Sequence, residues 1–309
     1  LNVSMHGTQD AAANWEHKYA SHLMANGLKR GKASPCAFWN PETGVRCVVH
    51  GDGFTFAGRD EELAKCTLMM KTEYDVKVRG KLGPDAKDDK AITILNRCIK
   101  WTATGIQYEA DPRHVEILIN ELGLHKVKPA TTPGSKGASV DDDDNPHLDS
   151  SQSTQFRQLI ARCNVLCQDR PDIQYACKEA ARGMANPRRE DWNKLIKIGK
   201  YLRGKPRYVV EIRHQSDVHC INGFGDSDFA GEVSTRKSTS GGMTCLGDHV
   251  VKSWSSTQPV IALSPGEAEL YALNKTAAQS LGLQSLLMDL GVEVSVRRQL
   301  AEQSPPAEV

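Results

Sequence analysis

Four carboxylates in the last third of the chain have the clearest potential for chemistry. Asp226 and Asp228 follow an apolar run, and Glu267 and Glu269 lie where the sequence predicts the first turn of a helix. Two-metal phosphodiester chemistry needs several carboxylates at one point, because hard divalent cations require oxygen ligands. A strand carboxylate that faces a helix carboxylate would form half of such a site. The same residue types also serve as turn formers and as partners of a helix N-terminus.

Asp52 is a fifth candidate, because it lies between two glycines and two apolar runs. Gly51-Asp52-Gly53 predicts a tight hairpin turn between two strands. A single carboxylate on a hairpin cannot hold two divalent cations against their hydration shells. Asp52 alone therefore predicts no working metal centre.

The net charge of +1 hides a basic segment between Phe156 and Gln215, which contains 14 Lys and Arg but only 6 Asp and Glu. Such a segment can face a phosphate backbone, or it can be an ordinary solvated helix surface. Both interpretations stay open. The candidates for phosphate contacts are the densest group of basic residues: Lys194, Lys197, Arg203, Lys205 and Arg207.

The periodicity of apolar residues predicts an α/β (α+β) chain, since strand patterns and helix patterns both recur along it. Helices are predicted at Asp10–Ala25, Asp60–Glu73, Asp111–Gly123, Phe156–Cys167, Pro171–Met184, Glu190–Arg203 and Pro265–Leu290. Strands are predicted at Ala37–Trp39, Arg46–His50, Phe54–Ala57, Tyr74–Lys81, Ile92–Ile99, Tyr208–Ile212, His219–Phe224, Gly241–Leu246 and His249–Trp254.

Composition sets the remaining limits. With 39% hydrophobic and 25% charged residues the chain is typical of a globular protein. It has no apolar run of about 18 residues and no secretory signal, so we expect an intracellular protein without membrane contact. Nine scattered cysteines without zinc spacing fit reduced thiols. Because the chain begins with Leu1, we expect that upstream sequence is missing.

Several motifs in order resemble the ribonuclease H domain of copia-type retrotransposons. They are Gly225-Asp226-Ser227-Asp228-Phe229-Ala230-Gly231, Ser234-Thr235-Arg236-Lys237-Ser238-Thr239-Ser240-Gly241, Ser253-Trp254-Ser255-Ser256 and Ala262-Leu263-Ser264-Pro265-Gly266-Glu267-Ala268-Glu269. Upstream, Arg170-Pro171-Asp172-Ile173 and Tyr201-Leu202-Arg203-Gly204 resemble the segment before that domain. Gly7-Thr8-Gln9-Asp10-Ala11-Ala12 and Lys32-Ala33-Ser34-Pro35-Cys36 resemble the reverse transcriptase palm.

The resemblance implies a domain order. It places a partial reverse transcriptase at 1–127, a linker at 128–153 and a basic helical connection at 154–207. A truncated ribonuclease H-like mixed sheet with a long helix would follow at 208–294, and a disordered tail at 295–309. The linker contains four consecutive aspartates, Asp141 to Asp144, which we expect to be solvated rather than to bind metal.

The resemblance also implies the roles of the carboxylates. Asp226 and Glu269 match the first and second ribonuclease H carboxylates, which hold Mg²⁺, whereas the later carboxylates of the family have no match after Gly291. In the hairpin, Gly53 stands where the second polymerase aspartate belongs. We therefore expect a catalytically impaired Pol fragment that acts on RNA–DNA hybrids or duplexes. The alternatives are a non-catalytic nucleic-acid-binding module, a residual nuclease that uses all four carboxylates, or a relic without a role.

Overall fold

The computed structural model describes residues 8–134, 145–216 and 218–300, and these form two compact units. The first unit contains the described residues up to Arg79, together with Val218–Asn222 and Ala277–Arg297. The second contains the described residues from Gly80 to 216, together with Gly223–Thr276 and the described residues after Arg297.

The first unit begins with a helix and an antiparallel sheet. Its elements are α1 (Gln9–Ala25), β1 (Lys29–Arg30), β2 (Ala37–Trp39), β3 (Arg46–His50), β4 (Gly53–Ala57) and α2 (Asp60–Glu73), and the sheet order is β1-β2-β3-β4. Apolar side chains of α1 pack on the sheet, where Tyr19, Leu23 and Phe38 are buried. The register pairs His50 with Gly53, so the predicted hairpin at Gly51-Asp52 is confirmed.

The second unit contains another antiparallel sheet. Its strands are β5 (Ala91–Ile94), β6 (Arg97–Trp101), β7 (Gly105–Ala110) and β8 (Val210–Arg213), in that order. The strand predicted at Tyr208–Ile212 as the first of the nuclease-like sheet therefore pairs with β7 instead. The strand predicted at Tyr74–Lys81 is wrong, because no strand is assigned there. The only pairing near it is an isolated bridge between Leu82 and Asp89.

Four helices of the second unit share one hydrophobic core. They are α3 (Arg113–Glu121), α4 (Ser150–Leu166), α5 (Gln174–Ala181) and α6 (Arg189–Gly204). Val115 and Leu118 of α3 pack with Phe156 and Leu195 from the later helices. The segment predicted to separate two domains at 128–153 therefore connects parts of a single core. Asp141 to Asp144 lie outside the described residues.

The described end of that segment is held to α6. The side-chain oxygen of Asn145, a buried residue, accepts a hydrogen bond from the backbone N–H of Glu190 at 3.0 Å. The backbone N–H of Leu148 donates to the carbonyl of Pro187 at 3.0 Å. These contacts make residues 145–149 a structured approach to α4 rather than an exposed linker.

The motif-bearing region forms a third sheet in the order β11-β10-β9-β12 with a long helix. Its elements are β9 (Cys220–Ser227), β10 (Thr239–Leu246), β11 (His249–Thr257), α7 (Pro265–Asp289) and β12 (Ser295–Leu300). β9 and α7 each contribute residues to both units.

The prediction of a disordered tail from residue 295 is wrong for 295–300, which form β12. The backbone N–H of Ser295 donates to the carbonyl of His219 at 2.8 Å, so the new strand is held beside the start of β9. Arg297 therefore lies in a strand, contrary to expectation, because backbone pairing tolerates a basic side chain there. Residues 301–309 lie outside the described part of the chain.

None of the helices in the described residues is both long enough and apolar enough to cross a lipid bilayer.

Candidate active site

The third sheet brings Glu269 of α7 to the end of β9. Glu269 Oε1 accepts hydrogen bonds from the backbone N–H of Ser227 at 3.3 Å and from its hydroxyl at 3.2 Å. The second carboxylate oxygen, Oε2, is buried and has no hydrogen-bond partner among the described residues. Since a buried acceptor without a donor costs free energy, this oxygen is suited to a ligand such as a cation.

Asp226 immediately precedes Ser227 and lies at the exposed end of the same strand. Gly225 faces α7, because a Cβ atom there would collide with the Thr276 hydroxyl. Side chains alternate along a strand, so Gly225 and Ser227 lie toward the helix and the Asp226 carboxylate lies in solvent. Glu269 therefore contacts Ser227, the residue that follows Asp226.

Asp228 has a structural task in the turn between β9 and β10. Its backbone N–H donates to the carbonyl of Thr239 at 3.1 Å, and its Oδ1 accepts from the backbone N–H of Thr239. Ala230, at φ 51°, donates its N–H to the hydroxyl of Ser238 at 2.9 Å. The Ser-Thr-Arg-Lys-Ser-Thr motif thus forms this turn, and the hydrogen bonds of Asp228 stabilise it.

Glu267 caps α7. Its backbone N–H donates to the hydroxyl of Ser264 at 3.2 Å, and its Oε2 accepts from the backbone N–H of Leu263 at 2.7 Å. A serine three residues before a glutamate at a helix start is the signature of a capping box. The contacts of Glu267 are therefore those of a helix cap. Glu269 is the helix carboxylate that faces the strand.

Gln258 is a buried residue that motif reasoning did not identify. Its Nε2 donates to the hydroxyl of Ser240 at 3.0 Å and to the carbonyl of Ala268 at 2.8 Å. It therefore ties β10 to the first turn of α7, one residue before Glu269. A polar residue four positions after the strand pattern at His249–Trp254 carries little sequence signal, because its role depends on the residues that the fold places around it.

Asp52 lies in the first unit, at the exposed tip of the β3–β4 hairpin. The carbonyl of the preceding residue, Gly51, accepts a hydrogen bond from the indole of Trp15 at 2.9 Å. That contact fixes the turn, while the Asp52 carboxylate stays in solvent with Gly53 beside it in the sequence.

Most of the basic residues predicted to contact phosphate are engaged within the protein. Lys194 pairs with Glu190 at 3.0 Å, and Arg207 pairs with Glu109 at 2.6 Å. Arg203 donates to the carbonyl of Val127, and Lys205 lies over the ring of Tyr201, 5.6 Å from its centroid. Lys197 is half-buried on α6. Much of the positive charge of this segment therefore stabilises the helical core.

The fold resembles a solved viral structure over nearly its whole length. A foamy viral protease–reverse transcriptase, solved in complex with double-stranded DNA, aligns with 96% of this chain and 44% of its own, with a TM-score of 0.51 and 11% sequence identity. The chain therefore has a mixed α/β fold similar to that of a viral reverse transcriptase.

Sequence comparison identifies relatives of the same kind. A retrovirus-related Pol polyprotein from transposon TNT 1-94 of Nicotiana tabacum is 24% identical over 94% of this chain and 22% of its own length. An uncharacterised mitochondrial protein of Arabidopsis thaliana is 32% identical over 57% of this chain and 75% of its own length. No protein-family profile matches.

The chain is homologous to retrovirus-related Pol polyproteins from plant transposons, which it matches over about 95% of its length. It spans about a fifth of the length of the transposon polyproteins that it matches.

Proposed function

We propose that this chain is a copia-type Pol segment that binds RNA–DNA hybrids or duplexes through a catalytically impaired ribonuclease H-like centre at Asp226 and Glu269. The observation that carries the proposal is the pair of hydrogen bonds from Ser227 to Glu269. They hold the helix carboxylate against the residue that follows Asp226. The foamy viral relative was solved on double-stranded DNA, which supports nucleic acid as the partner.

Two carboxylates are better suited to holding one divalent cation than to holding two cations. Glu269 Oε2 offers a buried acceptor without a donor among the described residues, and Asp226, the residue before Ser227, offers an exposed carboxylate at the end of β9. β12 lies beside β9 in the sheet, yet its residues Ser295–Leu300 include no Asp or Glu. Asp226 and Glu269 would hold Mg²⁺, which would supply Lewis-acid stabilisation of a phosphodiester.

The protein's own contribution to this centre is orientation. Ser227 fixes one oxygen of Glu269, so that the other is held in place before any ligand arrives. Gln258 fixes the helix turn that carries Glu269 by its bond to Ala268. Among the described residues, the centre has two carboxylates and no further ones that would position both the attacking and the leaving oxygen, so we expect nucleic-acid binding without efficient hydrolysis.

A metal titration tests this proposal. The unmodified chain should bind one Mn²⁺ ion, measured by calorimetry, and Asp226→Asn should weaken that binding at least tenfold. Asp248→Asn is the matched control, because Asp248 is exposed in the β10–β11 turn. A labelled RNA–DNA hybrid should remain intact with the unmodified chain and Mg²⁺. Unchanged Mn²⁺ affinity in Asp226→Asn, or binding of two ions, would contradict the proposal, as would efficient cleavage abolished by that variant.

Polymerisation is not part of the proposed function. Asp52 is a single exposed carboxylate on a hairpin whose next residue is Gly53, and one carboxylate cannot hold two cations. Primer extension on an RNA template should therefore be undetectable.

A further inference from the structure

One face of β10 and β11 carries a group of hydrogen-bond donors that the candidate active site does not use. The register pairs Lys252 with Thr244, Trp254 with Gly242 and Ser256 with Ser240. Directly opposed residues of an antiparallel pair point to the same face. Lys275 of α7 donates to the hydroxyl of Ser256, which identifies this face as the one toward the helix.

Two lysines are close to each other here without an acidic partner. Among the described residues, no carboxylate lies within ion-pair distance of Lys252 or Lys275. Burial lowers the pKa of Lys275, and the positive charge of Lys252 lowers it further. Both effects disfavour the charged form, so an anion bound between the two ammonium groups would be stabilised.

The same face also contains buried polar atoms without partners. Trp254 Nε1 and Thr244 Oγ1 are buried and lack hydrogen-bond partners within the described part of the chain. An indole N–H can only donate, so what Trp254 lacks is an acceptor, whereas the Thr244 hydroxyl could donate or accept. The need of Trp254 for an acceptor agrees with the unbalanced positive charge.

We propose that Lys252 and Lys275, with the Ser256 hydroxyl, form a contact site for phosphodiester groups of a nucleic-acid strand. β11 is at the edge of its sheet and Lys252 is exposed, so a strand can approach from that side. Two ammonium groups and a hydroxyl near an exposed edge strand are the groups that commonly contact the phosphates of a nucleic-acid strand. The inference rests on the proposed function only in taking nucleic acid as the ligand.

The test measures how binding of a fluorescent RNA–DNA hybrid by the full chain depends on salt. Fluorescence anisotropy in EDTA removes any contribution of a metal at Asp226 and Glu269. Each phosphate contact contributes about 0.7 to 0.9 to the slope of log affinity against log salt concentration. Lys252→Gln and Lys275→Gln should each reduce the slope by about that amount, and Lys275→Arg should restore it.

The control is Lys87→Gln, since the side chain of Lys87 is 74% exposed in the same unit and lies 3.8 Å from Asp85. It removes the same charge and should leave the slope unchanged. Thermal unfolding of each variant checks that it is folded. An unchanged slope in the folded Lys252→Gln and Lys275→Gln variants, or an equal loss in Lys87→Gln, overturns the site while leaving the proposed function intact. Failure of the unmodified chain to bind the hybrid in EDTA overturns this site. Failure to bind Mn²⁺ contradicts the metal centre separately.

Discussion

At the scale of the residue, Arg170 shows that a motif can be retained for folding rather than for chemistry. Its side chain is 2% exposed, and its guanidinium donates to both oxygens of Asp172 at 2.9 and 2.8 Å. It also reaches the carbonyl of Lys205 at 3.0 Å, while Tyr201 donates to Asp172 at 2.9 Å. Arg170-Pro171-Asp172-Ile173 is therefore a buried clasp between the start of α5 and the end of α6.

Arg170→Met should lower the free energy of unfolding by about 3–5 kcal/mol, because it leaves the Asp172 carboxylate buried without its partner. Arg213→Met is the matched control. Arg213 also pairs with a carboxylate, Glu211, but the two side chains are 70% and 38% exposed, so its loss should cost at most about 1 kcal/mol. Urea unfolding followed by circular dichroism measures both. Equal losses would show that the Arg170 pair is not a buried clasp.

Asp172 also predicts a pH dependence. Burial raises its pKa, but hydrogen bonds and charge from Arg170 and the Tyr201 hydroxyl together hold the pKa below the usual 3.8. The stability that Asp172 contributes is thus complete above pH 3.8 and is lost as the pH falls through the lower folded-state value. The stability difference between the unmodified chain and Asp172→Asn should shrink as the pH falls below 3.8 in urea titrations. A difference independent of pH would contradict this.

At the scale of the element, the contact between β9 and α7 depends on glycine. A Cβ atom at Gly225 would collide with the Thr276 hydroxyl and would lie 3.2 Å from the carbonyl of Ala272. A Cβ atom at Gly241, on the neighbouring strand, would meet nothing within 4 Å. Neither glycine has a positive φ, so the difference between them is one of space.

Gly225→Ala should therefore destabilise the protein by about 1–3 kcal/mol, since overpacking forces the helix away from the strand. It should also weaken Mn²⁺ binding, because Glu269 moves with α7 away from the end of β9. Gly241→Ala should change stability by much less. Thermal unfolding and calorimetry distinguish the two outcomes. If both alanine variants behaved alike, close packing of α7 on Gly225 could not be what positions Glu269.

Elements with strong local signals could be predicted from sequence. The α2 helix at Asp60–Glu73 and the strand at Arg46–His50 have the predicted bounds, because apolar periodicity and turn glycines mark them. The Tyr74–Lys81 segment alternates like a strand but finds no partner strand. The strand β12 is the opposite case. Its composition does not predict a strand, and it forms because it pairs beside β9. Pairing is a property of the fold rather than of the segment.

Some features of the candidate site could likewise be predicted from the sequence, and others could not. A strand carboxylate and a helix carboxylate could be predicted from motif order, and Glu269 does reach the end of β9. Which carboxylates serve the backbone could not be predicted, because Asp228 and Glu267 differ from their neighbours only in the N–H groups that surround them. The contribution of Ser227 likewise depends on which face of β9 lies toward α7.

At the scale of the whole molecule, the second unit is assembled from distant parts of the chain. Val115 and Leu118, before residues 128–153, share a core with Phe156, Ile160 and Leu195 after them. Charge and composition predicted a boundary here because a Pro-, Gly- and Ser-rich stretch is a common linker. Composition reports the local preference of a segment, whereas the core is defined by contacts between segments far apart in sequence.

This shared core should hold the two halves of the chain together even when they are separate polypeptides. Residues 1–134 with an affinity tag and residues 145–309, co-expressed as two chains, should purify together, because each supplies half of the core around Leu118. Leu118→Asp should abolish the co-purification, since Leu118 is fully buried. Leu68→Asp is the matched control, because Leu68 is 67% exposed on α2, and capture should persist. Separate elution of the two unmodified chains, or equal capture with both aspartate variants, would show that 128–153 divides the protein into independent domains after all.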